Sequence, residues 1–109
     1  MKRDDLNLNE FTGGWLVGNF EPSIFKRENI EVGVKQLKQG FIDEEHWHEK
    51  SVEYNFILSG RIRIETGQEL KAGETFVYKK KELSKCHVIE DTIILVIRDG
   101  SHANDKFQK

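Results

Sequence analysis

The chain has 109 residues, a length typical of one domain with a single hydrophobic core. Its 17 basic and 19 acidic residues give a net charge of −2, and no large basic block indicates a nucleic-acid-binding surface. The single cysteine, Cys86, excludes an internal disulfide and suits a reducing compartment. The sequence shows neither the apolar run of a signal peptide nor the roughly 18 apolar residues that span a bilayer. We therefore expect a cytoplasmic protein without nucleic-acid or membrane partners.

The hydrophobic residues follow the period of two that is typical of β-strands. In chain order these segments are "IEVGVKQL", "YNFIL" and "RIRIET". A last strand, "DTIILVI", is nearly continuously apolar, and glycines separate most of the segments. Helical spacing is not sustained, so we expect at most a short helical turn near residues 4 to 10 or around "KELSK". The pattern predicts an all-β sandwich or barrel in one domain, residues 1–109, with an N-terminal strand segment (1–20), a core (30–98) and a polar tail (99–109).

The stretch "GFIDEEHWHEKSVEYNFILSG", residues 40–60, carries a candidate metal site. If the chain is extended here, His46 and His48 point to the same face of a strand. After a turn, the next strand would bring Glu53 beside them. Two imidazoles and a carboxylate suit one divalent transition metal, such as iron, manganese, nickel, cobalt or zinc. The alternative is that a bare H-x-H pair decorates the end of a strand.

The spacing of this stretch resembles the first motif of the cupin superfamily: a glycine, five residues, H-x-H, four residues, Glu53, six residues and Gly60. The resemblance implies a cupin-type jelly-roll barrel, an antiparallel double-stranded β-helix. It also implies that His46, His48 and Glu53 bind a metal inside the barrel. The opening "GGWLVGNFEPS" is similar to that of short single-domain cupins, some encoded beside sugar-nucleotide genes, which implies a carbohydrate ligand.

A second cupin motif is matched less closely by "GETFVYKKKELSKCH", which begins at Gly73 and ends at His87. The motif has a proline and a further glycine that this chain lacks, and the spacing here is about three residues longer. The resemblance implies that His87 is a fourth metal ligand. The alternative is that His87 is an ordinary strand residue. Cys86 would then alternate to the opposite face, as a small buried side chain.

The strand after Glu53 leaves an apolar surface to be covered. If Glu53 and Asn55 face the interior, the residues between and beyond them face outwards. Those large outward side chains are Tyr54, Phe56 and Leu58. The cover is either the N-terminal segment, through Trp15, Val17 and Phe20, or a second subunit. Because cupins are often dimers, the resemblance favours a homodimer.

Several charged or polar residues have two interpretations. The run Lys79–Lys81 meets an anionic substrate or, more simply, forms a solvated loop. Arg63 belongs to a wet face unless the strand register is reversed, in which case it enters the cavity and binds a carboxylate or phosphate. Tyr78 and Glu65 are the only candidates for a general base, and His102 lies in the polar tail.

Two functional hypotheses follow from the site. The first is a metal-dependent enzyme, of the oxygenase or isomerase type, that acts on a small polar metabolite, sugar-like or acid-like. The second is a non-catalytic ligand-binding or regulatory cupin, because the fold alone does not decide between turnover and capture. A third possibility is a structural dimer in which the metal is incidental.

Overall fold

A computed structural model describes residues 7–48, 50–100 and 106–108, and the side chains of residues 44–46 and 106–108 lie outside that description. Within these ranges the chain forms two 3-10 turns, Leu8–Glu10 and Thr12–Gly14, followed by nine strands. The strands are β1 (Trp15–Gly18), β2 (Phe25–Lys26), β3 (Ile30–Leu37), β4 (Ile42–His48), β5 (Val52–Ile64), β6 (Glu69–Lys71), β7 (Thr75–Tyr78), β8 (Ser84–Asp99) and β9 (Lys106–Gln108). No helix in the described part of the chain is long and apolar enough to cross a membrane.

Two long strands, β5 and β8, organise the sheet, and they pair antiparallel along most of their length. The second half of β8 also pairs with β3, from Ile30 opposite Asp99 to Leu37 opposite Thr92. The first half of β8 pairs with β4 instead. β4 ends at His48 and β5 begins at Val52, so the short connection between them keeps these two strand ends in one region. The all-β prediction is confirmed.

The strands differ from the predicted segments mainly in length. The segment "IEVGVKQL" coincides with β3, while "YNFIL" and "RIRIET" merge into the single strand β5. "DTIILVI" is only the second part of β8. A short helical turn is present at Leu8–Glu10. At "KELSK" the chain leaves a tight turn, in which the Glu82 N–H donates to the Lys79 carbonyl, and enters β8 at Ser84. The predicted polar tail contains β9, which pairs with β4.

Gly60 forms a corner within β5, where the register with β8 shifts. Its φ of +93° favours glycine, and a Cβ there would overlap the Asp91 carbonyl oxygen and Thr92 Oγ1. Thr92 Oγ1 accepts a hydrogen bond from the Arg61 N–H at 3.1 Å and donates one to the Glu90 carbonyl at 2.7 Å. The corner therefore depends on a residue without a side chain and on a buried threonine that joins both strands.

The hydrophobic core lies between the inward faces of β5, β6 and β8. Its buried members are Ile57, Ile62, Leu70, Cys86, Val88, Ile94 and Val96. Full burial of an aliphatic side chain of this size contributes about 1.5–3 kcal/mol. This core fixes β5 against β8 and so fixes which residues of both strands point inward. Cys86 is a small buried side chain, as the sequence indicated.

The N-terminal segment packs on β3 rather than on the outward side of β5. β1 pairs antiparallel with β3, and a Cβ added at Gly33 would meet the Trp15 ring at 2.7 Å. The cationic groups of Lys35 and Arg98 lie 4.2 Å and 4.8 Å from the centroid of that ring. Trp15 therefore closes one side of the interior beside two cations, and it does not cover Phe56.

Candidate metal centre

The end of β4 and the start of β5 bring a histidine and a carboxylate together. The backbone of β4 is extended through His46 and His48, as predicted. His48 is only 5% exposed, and its Nε2 lies 3.6 Å from Oε2 of Glu53, whose side chain is 14% exposed. The carbonyl of His48 accepts a hydrogen bond from the Lys81 N–H at 2.6 Å, which ties the end of β4 to the β7–β8 turn.

The chemistry of this pair fits a transition metal. Two donors that share one ion at about 2.1 Å each are separated by a distance in the range seen between His48 and Glu53. His46 lies two residues before His48 in the backbone of β4, and its side chain is outside the described part of the chain. Among the described side chains, no third His, Cys, Asp or Glu joins His48 and Glu53 in a potential metal cluster.

A cavity of about 230 Å³ opens beside Glu53. Its polar and charged lining residues are Lys35, Asp43, Glu53, Asn55, Tyr78, Ser84, Lys85 and Arg98. Its apolar lining residues are Leu37, Phe41, Phe76, Cys86, Ile94 and Val96. The cavity thus combines apolar walls with a larger number of polar and charged groups, and a concave site with converging polar groups is a candidate small-molecule site.

The structure does not bring His87 to this cavity. Ser84 and Cys86 are buried and line it, whereas His87 is half-buried and is absent from the lining. Since side chains alternate along a strand, His87 lies on the face opposite Cys86. The alternation of Cys86 and His87 agrees with the prediction, but Cys86, and not His87, lies on the inner face. The described residues therefore place His48 and Glu53 together and leave His87 on the other side of β8.

Ser84 lies where the usual spacing of the second cupin motif would place its ligand. That spacing is about three residues shorter than the span from Gly73 to His87, and Ser84 comes three residues before His87. Here the chain makes an ordinary tight turn rather than a longer loop, with Lys81 at a positive φ of 66°. Ser84 then pairs with His46 across β4 and β8. The three residues by which this segment exceeds the usual motif therefore follow Ser84 and belong to β8.

Arg98 is a cavity residue that the sequence analysis missed. Its Nη2 lies 3.4 Å from Oε2 of Glu53, and its Nη1 lies 3.1 Å from Oε1 of Glu31. Its guanidinium also stacks over the Trp15 ring. The signal was present, because the alternation that buries Ile94 also points Arg98 inward. The predicted segment "DTIILVI" ends at Ile97, one residue before Arg98.

Two further cavity groups are held in their neutral forms. Tyr78 donates its phenol O–H to Oε2 of Glu65 at 2.7 Å. Burial, followed by this hydrogen bond, raises the pKa of Tyr78 well above its usual value, so Tyr78 is a neutral phenol at physiological pH. Burial, with added repulsion from Asp43 and other carboxylates, raises the pKa of Cys86 to about 11, so it is a thiol rather than a thiolate.

The remaining candidates lie outside the cavity. Lys79, Lys80 and Lys81 are exposed. Arg63 is on the wet face, where its Nη2 lies 2.9 Å from Oε2 of Glu69. The strand register is therefore not reversed, and Arg63 does not enter the interior. His102 falls on residues that the structure does not describe.

Comparison with solved structures identifies the architecture. A cupin-2 domain-containing protein from Shewanella frigidimarina NCIMB 400 is similar, with a TM-score of 0.58 and 20% identity over 65% of this chain and 71% of that protein. The chain has the cupin fold. The DMSP lyase DddQ from Ruegeria pomeroyi DSS-3 is similar with a TM-score of 0.72 and 18% identity, over 87% of this chain and 49% of that protein.

A third similar cupin fold is oxalate decarboxylase from Bacillus subtilis, a protein with Mn(II) centres. It gives a TM-score of 0.60 and 27% identity over 73% of this chain and 24% of that protein. The chain therefore spans about half the length of DddQ and about a quarter of that of the decarboxylase. No protein-family model matches the sequence, and no curated protein matches it.

Proposed function

We propose that this cupin binds one divalent transition metal and acts through it on a small polar metabolite. The observation that carries the proposal is the buried His48–Glu53 pair at the edge of the cavity, with 3.6 Å between Nε2 and Oε2. An imidazole and a carboxylate held together away from water are costly unless they serve as partners or ligands. The Mn(II) centres of the similar oxalate decarboxylase support the same interpretation.

The proposed ligands are His46, His48 and Glu53. His87, the fourth ligand implied by the resemblance, is left out of this set because it does not line the cavity. Iron, manganese, nickel, cobalt and zinc all accept nitrogen and carboxylate donors, so the donor set does not select one of them. A bound divalent ion would supply Lewis acidity to an oxygen of the metabolite.

The chain's own residues would orient the ligand and the metabolite. Arg98 contacts Oε2 of Glu53 at 3.4 Å, which restricts the orientation of this carboxylate. Tyr78 donates its only O–H to Glu65 and is held protonated by burial and by that bond, so it does not serve as a general base. The aliphatic wall, including Ile94 and Val96, limits water in the cavity.

A non-catalytic binding cupin is the second candidate function. The observation that favours it is the protonated Tyr78, one of the two residues that the sequence offered as a general base. Its hydrogen-bond partner, Glu65, is the other. A site with this phenol would capture a ligand without removing a proton from it. Turnover of a bound metabolite by the metal-loaded protein would distinguish the enzyme from the binder.

Metal analysis of protein purified without added metal tests the proposal. We expect about one divalent ion per chain, and His48→Ala should remove most of it because a buried ligand is lost. His87→Ala is the matched control, since it makes the same change on the opposite face of β8, and it should leave the metal content unchanged. Full metal retention in a His46→Ala, His48→Ala double variant would contradict the assignment.

We also propose that the protein forms a homodimer through the outward β5 face, defined by Tyr54, Phe56 and Leu58. All three side chains are between 38% and 48% exposed. Val77 and Ile97, the β7 and β8 neighbours of Tyr54, extend the same apolar surface. A patch of this kind on one sheet suits an isologous contact, in which both partners bury the same residues.

A further inference from the structure

We infer that the cavity takes a small carboxylic acid, whose carboxylate is bound by Asn55 and Arg98. This inference deepens the proposed function and rests on it for the neighbouring metal. It narrows the metabolite from any polar molecule to an anionic one. Two buried N–H donors and the size of the cavity support it independently.

Asn55 supplies the first donor. It lies on β5 two residues after Glu53, on the same face, and is only 5% exposed while lining the cavity. Within the described part of the chain, its Nδ2 has no hydrogen-bond partner. A buried amide without an acceptor is unfavourable, and such groups in native proteins are commonly completed by a ligand or by water.

Arg98 supplies the second donor. Its Nη1 and Nη2 contact Glu31 and Glu53, but its buried Nε has no acceptor among the described residues. Arg98 pairs with Glu53 across β5 and β8, and Asn55 pairs with Val96, so Asn55 and Arg98 are diagonal neighbours on one face. Two donors beside one cavity match the two acceptor oxygens of a carboxylate.

The size of the cavity selects the rest of the molecule. Its lining carries charges of both signs, with Lys35, Lys85 and Arg98 against Asp43 and Glu53, and Glu31 also pairs with Arg98. The volume of about 230 Å³ is below the roughly 300 Å³ at which drug-sized pockets begin. With apolar walls such as Phe76 and Leu37, the site suits an acid of a few carbons better than a sugar with many hydroxyl groups.

Lactate and lactamide are suitable probes, because they differ only in replacing a carboxylate by a neutral amide. The side-chain amide resonances of Asn55 in the full-length ¹⁵N-labelled protein report binding, in metal-free and in zinc-loaded samples. We expect lactate to shift these resonances and to bind at least about tenfold more tightly than lactamide. We expect Asn55→Leu, followed by calorimetry, to weaken lactate binding at least about tenfold with the metal content unchanged.

Gln36→Leu is the matched control, because it removes an amide from the exposed face of β3 and should leave lactate affinity as in the wild type. If Asn55→Leu does not fold, Asn55→Asp preserves the shape and removes both N–H donors, with the same expected loss. Equal binding of lactate and lactamide, no lactate binding, or unchanged affinity in the folded Asn55 variant would overturn the inference. In that case water satisfies the donors.

The two proposals fail in different ways. If only the metal assignment is wrong, purified protein contains no metal, yet metal-free protein still prefers lactate over lactamide and still requires Asn55. If only the carboxylate inference is wrong, the metal is present and is lost in His48→Ala, but the two probes bind alike.

Discussion

At the scale of single residues, the cavity carries Ser84 on β8 where a histidine ligand was expected. Ser84 is buried, lines the cavity and pairs with His46 across β4 and β8. We expect Ser84→His to add an imidazole donor and to raise zinc affinity about tenfold or more, as measured by competition with a chelator. Glu90→His, which places the same side chain on an exposed part of β8, should leave the affinity unchanged. Equal affinity in the Ser84 and Glu90 variants would mean that position 84 does not face the metal.

The residues of the candidate site were predictable to different degrees. His48 and Glu53 could be placed together because strand alternation over a short turn is a local property of the sequence. His87 depended on how many residues the turn after β7 uses, which the sequence does not specify once the proline and glycine of the motif are absent. Arg98 was hidden because one charged residue at the end of an apolar strand is normally at the surface.

At the scale of secondary-structure elements, the corner of β5 at Gly60 determines how the two halves of the strand meet β8. Gly60 and Gly67 both have φ near +90°, but only at Gly60 would a Cβ be crowded, with Thr92 Cα at 2.6 Å. We expect Gly67→Ala to lower the free energy of unfolding by about 1–2 kcal/mol, from the backbone conformation alone. Gly60→Ala should cost about 2 kcal/mol more, because the overlap is added. Urea unfolding measures both values, and equal losses would show that the corner relaxes without penalty.

The longest strands could be predicted from the sequence, but the way they join could not. Period-two spacing identified β3 and the two halves of β5, since it depends only on which side chains are buried, and a continuous apolar run identified part of β8. The joining of "YNFIL" to "RIRIET" was not predictable from Gly60, because a glycine between apolar runs usually indicates a turn. Here Thr92 and the partner strand β8 keep the chain extended through the glycine.

At the scale of the whole molecule, the described residues leave the outward β5 face uncovered. Trp15 and the rest of β1 pack against β3 and therefore do not serve as its cover. The exposed positions of Tyr54, Phe56 and Leu58 follow directly from the buried positions of Asn55 and Ile57 on the same strand. The inward residues of the site and the outward apolar face are thus two consequences of one alternation.

Sedimentation of the full-length protein at low micromolar concentration tests the homodimer. We expect a species of twice the 12.7 kDa chain mass, and Phe56→Glu should convert it to a monomer or make it aggregate. The reason is that a twofold contact would bury two like charges near its centre for a single substitution. Ile24→Glu is the matched control, because Ile24 is 62% exposed outside this face and should leave the dimer intact. A wild-type protein that sediments as a 12.7 kDa monomer would refute the assembly and show that the apolar face tolerates water.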